Sequence, residues 1–330
     1  MTFITILAVF LAIIFAGLSF SLIKLNSGNR AVRQVKDSVH IDKLTNIGTV
    51  KKLSVLPLVE YYADDDRLKT EAGVSYLIRT EDTTILMDVG FNKNKTHPSP
   101  LLHNAKILDV ALDKIDAIFI SHAHLDHLGG MHEQKNKLFS ISQGDVHLPG
   151  IPVYSPAPVS PSHFNLGPFP KVIKAPQILE KGIASIGVIP RNLFLMGYTE
   201  ENSLAVNVEN KGIVLIIGCG HQTIEKIIER AKRLFDAPIY GIIGGLHFPV
   251  KSGRIMIGPF NIQNIVGSDR PPWNGINEND VKNAIIAIKN ENPAFIALSP
   301  HDSSDWSIAQ FRDAFRDKYH ELKVGKELHL

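Results

Sequence analysis

The sequence predicts an α/β protein in which two β-sheets pack face to face with helices outside, behind an N-terminal helix that crosses a membrane. Two observations carry this expectation. The chain holds two strand-rich halves, each followed by helical stretches, and a sandwich with helices on its outer faces is the arrangement that buries such elements. Thr2 to Ile23 carries no charge and is dominated by Ile, Leu, Phe, Ala and Val. As a helix it would span roughly 33 Å, enough for a hydrocarbon core of about 30 Å. A cleaved signal peptide is the competing reading, disfavoured by the lack of Lys or Arg before the run and by the run's length.

Taken in order, residues 1–24 read as the anchor, 25–52 as a basic tether and 53–330 as one folded domain. Lys24, Arg30, Arg33, Lys36, Lys43, Lys51 and Lys52 stand against Asp37 and Asp42, a net of +5 beside the span. Positive charge next to a span tends to stay cytoplasmic, so a single-pass protein with its domain inside, against anionic lipid, is favoured over an outward-facing domain, which translocation sometimes tolerates. The whole chain is nearly balanced at +2, and 44% hydrophobic residues in 330 suffice for a sizeable core. Lys and Arg are scattered without an aromatic-interleaved basic patch, so no nucleic-acid partner is expected. Cys219 is the single cysteine, which excludes an intramolecular disulfide.

Strands are expected at Leu53–Val59, Gly73–Arg79, Thr84–Asp88 and Ala117–Ser121, with apolar residues at helical spacing across His103–Leu112. Val153–Ser155 reads as a short strand. Nine of the 19 prolines fall between Pro149 and Pro190, so that stretch is neither a long helix nor a central strand. It reads as a loop over a site or a surface excursion. Ser203–Val208 and Gly212–Ile217 form a hairpin, and Thr223–Phe235 is an amphipathic helix with Ile224, Ile227, Ile228, Ala231 and Leu234 on one face. Ile239–Ile243 and Ala294–Ser299 are strands, Asn279–Asn290 and Ile308–Phe315 helices, and Lys323–Leu330 closes as a strand. Arg254, Phe260 and the loop holding Trp273 could form the lip of a pocket, although a loop packed on its own side chains is the simpler reading.

His122-Ala123-His124-Leu125-Asp126-His127 is the most informative stretch. It packs four candidate ligands into six residues directly after the apolar run Ile115–Ser121, and Gly129-Gly130 follows. Imidazole nitrogens and a carboxylate suit Zn²⁺, and also Fe or Mn. On a loop leaving a strand such side chains can converge, two His on one metal and the Asp-His pair on a second.

Here the chain resembles the metallo-β-lactamase superfamily, whose signature is a His-x-His-x-Asp-His loop after a core strand. Gly73–Ile78 and Ile85-Leu86-Met87-Asp88-Val89-Gly90 look like its opening hairpin and the Asp-x-Gly that ends it. Leu101–Ala105, Gly218-Cys219-Gly220-His221 and Gly244-Gly245-Leu246-His247 look like a narrower branch, the dihydropterin-ribofuranosyl-aminobenzene-phosphate synthase-like proteins. The resemblance runs from about Leu53 to the C-terminus. It implies an αββα four-layer sandwich with metal loops at one edge. It also implies two divalent ions, Zn²⁺ first, one held by His122, His124 and His221 and the other by Asp126, His127 and His301. Such a pair lowers the pKa of a bridging water and polarises the scissile group. Asp126 would orient that water and carry its proton. His247 is either a ligand or a donor to the substrate's oxyanion.

The chain departs from the pattern in four places. Cys219 stands where many members have a bridging Asp, as a thiolate ligand or an inert buried thiol. Ala72 and Asp302 replace an expected His and Cys, and Glu201-Asn202-Ser203 replaces an Asp-x-Gln segment. These changes argue against the pterin-type reaction itself, and Asp302 is expected to orient His301. The expected activity is therefore metal-dependent hydrolysis of an ester, phosphoester or lactone bond in a small-molecule or lipid-like substrate. The alternative is a redox or ligand-sensing protein of the same fold without hydrolysis.

Overall fold

In the computed structural model, residues 2–38 and 41–330 are described, the side chains of 36–38 excepted. The first helix, α1 (Phe3–Ser38), runs for 36 residues, well past the boundary near residue 24 that the charge pattern suggests. Nothing in Lys24–Val35 breaks a helix, and Leu25 is buried at 4% exposure. Of the expected tether, Val39 and His40 lie outside the described residues, but the rest is not a free linker. Gly182 N–H donates to the Ile47 carbonyl, and Val50 exchanges backbone hydrogen bonds with Asn207 and Glu209. Ile47 and Val50, apolar residues set among the positive charges, are buried by the domain.

The first sheet contains β1 (Ser54–Val59), β2 (Ser75–Arg79), β3 (Thr84–Met87), β4 (Ala117–Phe119), β5 (Pro152–Ser155) and β6 (Phe169–Val172). The second contains β7 (Gln177–Glu180) and β8 (Ile183–Ser185). After a separate hairpin, β9 (Ile189–Leu193) and β10 (Gly197–Glu201), it continues with β11 (Leu204–Val208), β12 (Gly212–Ile217), β13 (Ile239–Gly244) and β14 (Phe295–Leu298). A last short strand, β15 (Leu328–His329), pairs with β1, so only two residues of the expected C-terminal strand join a ladder. The spatial orders are β6-β5-β4-β3-β2-β1-β15 and β7-β8-β11-β12-β13-β14. β3, β4 and β5 are mutually parallel in one sheet, and β12, β13 and β14 in the other.

Alternation along each strand puts one apolar set between the sheets and another outside. Tyr76, Ile78, Met87 and Phe119 meet Leu204, Val206, Ile216 and Ile243 in the central layer. Outside the second sheet lie the helices Ile224–Leu234, Glu278–Glu291 and Asp305–Phe315, and outside the first lies Pro100–Ile107. The predicted face of Ile224–Leu234 is buried as read, each large side chain contributing about 1.5–3 kcal/mol. The result is the helix–sheet–sheet–helix layering expected.

The proline-rich stretch neither forms a lid nor loops out. It lays β5 and the exposed β6 at one sheet's edge, where Pro170 costs no interior ladder bond, then crosses to β7 and β8. Cover of the site falls to the β9–β10 hairpin that follows.

Candidate metal centre

The parallel runs in both sheets end at one edge, and each C-terminal end carries polar side chains. β3 is followed by Asp88, and β4 by Ser121, His122 and His124. Asp126 and His127 sit in the single turn α2 (Leu125–Leu128). Cys219 and His221 follow β12, His247 follows β13, and Ser299, His301 and Asp302 follow β14. Glycines let these loops touch: at Gly244, with φ +118°, a Cβ would stand 1.9 Å from the Ile217 carbonyl oxygen. Gly218, Gly220 and Gly245 sit in the same contact, so the glycine pairs serve close backbone approach.

The donors converge in overlapping groups. Ligand atoms of Asp126, His127, Cys219 and His301 all lie within 4.8 Å of one another, as do those of His122, Cys219 and His221, and those of Cys219, His247 and Asp302. Cys219 Sγ is common to all three, 3.0 Å from His127 Nε2 and 3.2 Å from His301 Nε2. The His124 ring stacks edge-on against His122 and His221 at 4.4 and 5.1 Å between centroids. His124 Nε2 also lies 3.5 Å from Thr199 Oγ1 at the β10 strand. All six sequence-selected donors, and His247, therefore meet at one edge.

Hydrogen bonds behind the rings fix which nitrogen faces inward. His127 Nδ1–H donates to Asp88 at 2.7 Å. Ser121 Oγ–H donates to Asp88 at 2.7 Å and stands 3.0 Å from His122 Nδ1, so the serine accepts from that ring. Ser299 Oγ–H donates to Glu60 and accepts from His301 Nδ1–H at 2.6 Å. Two buried carboxylates, directly or through a serine, thus turn the Nε2 atoms of all three rings into the site. Such outer partners orient ligands and raise their basicity. His247 differs: Nε2–H donates to the Gln263 carbonyl at 3.2 Å, which leaves Nδ1 as the free lone pair. Asp302, expected behind His301, instead accepts the His247 backbone N–H at 3.0 Å and stands 3.9 Å from His301 Nε2. His301 already has Ser299, so Asp302 positions the His247 loop.

Burial sets the electrostatics. It lowers the His122, His221 and His301 pKa values well below the imidazole range, His124 to about 3 and His247 to about 4. These rings are neutral at physiological pH, the form that ligates. Burial opposes protonation of His127 as well, but the Asp88 and Asp126 charges outweigh it and raise that ring to about 9. Burial pushes the Cys219 thiol well up, and neighbouring carboxylates add to the effect. Glu201, raised to about 7 by burial, accepts N–H bonds from Cys219 and Gly220 and so holds the loop that replaces the bridging carboxylate.

Sequence reasoning missed Glu60, Ser121, Ser299 and Thr199, which act behind or beside the donors, and Arg191, whose guanidinium donates to the His221 carbonyl at 2.8 Å. Asp88 was read only as part of a turn motif. None has a spacing signature. The sole hint is that Ser121 and Ser299 each sit at a strand end, immediately before or two residues before a His.

A buried, histidine-rich edge on an αββα sandwich brings together donor groups that could hold a metal ion. The chain matches the metallo-beta-lactamase superfamily model over residues 68–188. It is 27% identical over 238 residues to 7,8-dihydropterin-6-methyl-4-(beta-D-ribofuranosyl)-aminobenzene-5'-phosphate synthase from Methanocaldococcus jannaschii, covering 62% of this chain and 80% of that protein. A 53-residue stretch is 42% identical to transcription termination factor FttA of Cenarchaeum symbiosum, only 8% of that factor's length. The solved structure of Tm1679, a metal-dependent hydrolase of the beta-lactamase superfamily, superposes with a TM-score of 0.55 at 17% identity, over 84% of this chain and 99% of that one. That likeness is one of fold.

Proposed function

We propose that this chain is a membrane-anchored metallohydrolase with a dinuclear centre, cleaving an ester, phosphoester or lactone bond. The observation that carries the reading is the pair of adjoining donor groups joined at Cys219. Buried ring nitrogens without a partner, at His122 Nε2, His221 Nδ1 and His247 Nδ1, fit a metal. Unpaired buried polar atoms cost free energy unless something binds them. His122, His124 and His221 would hold one ion, and Asp126, His127 and His301 the other, with Cys219 between. Divalent ions in that position, Zn²⁺ first, would supply an activated water and Lewis acidity toward the bond cleaved.

The chain's own groups do the rest. Asp126 is the most accessible of the carboxylates at the centre, its side chain 24% exposed, and it would orient the water and accept its proton. His247 is better suited to ligation than to oxyanion donation, because its one N–H is committed to Gln263. Burial of the remaining rings excludes bulk water and strengthens each polar interaction there. The helix α1 is long and apolar enough to cross a membrane, and its apolar window is unburied. The adjoining positive charge favours the cytoplasmic side for the domain.

The test is elemental analysis of the full chain in detergent, with turnover assays on phosphodiester, thioester, lactone and β-lactam substrates. Two ions per chain and at least one turned-over class are expected, and both metal and activity should fall in His122→Ala. Metal loss in that variant with activity intact would sink the hydrolase reading. Two ions bound with no turnover of any class would favour the sensing or redox alternative.

A further inference from the structure

We propose that the tip of the β9–β10 hairpin, Phe194–Gly197, seats in the headgroup–acyl boundary of the bilayer crossed by α1, so that the cover of the metal site rests on lipid. The inference builds on the membrane-anchor reading above. At about 1.5 Å per residue, about 20 residues fill the hydrocarbon core. A span that starts at Phe3 is therefore used up near Leu22, and Phe20 to Leu25 lie at the boundary. The hairpin is packed on that stretch: Phe20, Ser21, Lys24 and Leu25 line a shared crevice with Leu193 and Leu195. The contact is built in. Asn192 Nδ2 donates to the Leu25 carbonyl at 3.0 Å and to Asn29 Oδ1 at 3.1 Å. At Gly28 any Cβ would stand 2.2 Å from Asn192 Oδ1.

A second observation concerns the tip itself. Leu195 is 58% exposed and Met196 36%, with Tyr198 beside them at 47%. Leu195 also has φ +63°, a left-handed conformation that Gly or Asn adopts at less cost than a bulky side chain. In water the exposure of these apolar side chains is uncompensated. In a lipid boundary the side chain is solvated by acyl chains, Tyr198 takes the interfacial place aromatic rings favour, and Lys24 reaches headgroups. The two strands behind this tip carry Arg191 onto the His221 carbonyl and Thr199 beside His124. The element in lipid is thus the element over the donors, and an amphiphile in the leaflet would meet the site without crossing bulk water.

Bromolipid quenching tests this with the full chain in vesicles of zwitterionic and anionic phospholipid brominated high on the acyl chain. Tryptophan is introduced singly as Leu195→Trp, Met196→Trp, Ile14→Trp in the span, and Ile286→Trp, an exposed position on the helix Glu278–Glu291. The native Trp273 and Trp306 signal is subtracted. Quenching of about two-fold is expected at positions 195 or 196, as at 14, with little at 286, because an interfacial side chain lies within about 5–10 Å of the headgroup boundary. Quenching at 14 with none at 195 and 196 overturns the seating and leaves the anchor standing. No quenching at 14 removes both readings. Equal quenching at 286 means non-specific adsorption and overturns the seating too.

Discussion

Asp88→Asn separates the electrostatic part of the site's support from its shape. Asp88 is fully buried, accepts the Ser121 N–H and Oγ–H, and holds His127. Asparagine keeps the volume and one acceptor but removes the charge. In the metal-free chain, burial alone would lower His127, and Asp88 is the largest of the raising influences that bring it to about 9 against 6.5 unperturbed. That difference corresponds to roughly 3 kcal/mol of stability. Because the folded value is the higher one, the contribution is fully present below about pH 6.5 and is lost as pH rises through about 9. Asp88→Asn should therefore be destabilised by roughly 3 kcal/mol near pH 6, and that part of the gap should close near pH 9.5. A pH-independent remainder of about 1 kcal/mol from the weakened serine bond would persist. The assay is urea unfolding of chelator-treated full chain in detergent at several pH values. A gap that stays constant from about pH 6 to 9.5, or widens, would refute the assignment of His127 as a charged partner of Asp88.

Metal uptake near pH 7.5 should release about one proton from His127, and a second if Cys219 ligates as thiolate, since burial keeps that thiol protonated in the metal-free chain. Calorimetry in buffers of differing ionisation enthalpy counts them, and Cys219→Ser should reduce the count by one only if the sulfur is a ligand. Gly28→Val should push α1 off Asn192, given the 2.2 Å clearance, and cost about 1–3 kcal/mol as overpacking does. Hydrogen exchange in Ile189–Glu201 should rise, while exchange in Ala117–Phe119 should not.

The strands and the outer helices were legible because period-2 and period-3.6 patterns survive wherever one face is buried. Even there boundaries moved: Pro100 at the first turn and Ser99 as its cap start a helix earlier than the apolar spacing of His103–Leu112 suggested. The donor loop was legible because four ligands in six residues is a local signal, and His221, His247 and His301 because each ends a strand. What stayed hidden is non-local. Glu60 reaches His301 through Ser299 from far along the chain, and no sequence interval marks that. The path of residues 25–52 was misread because charge on one side of a helix looks the same whether the other side is bare or docked.

The donors are spread from β4 in the first half of the chain to the loop after β14 near its end. During synthesis α1 and the strands β1 to β6 emerge while His301 is still unmade. The donor group of Asp126, His127, Cys219 and His301 is incomplete until His301 has been added. If the proposed pair of ions binds, the ligand set of the second is completed only late in this protein's assembly. A ribosome-arrested chain ending before Ser299 should hold the first donor loop and lack the second ion's full ligand set.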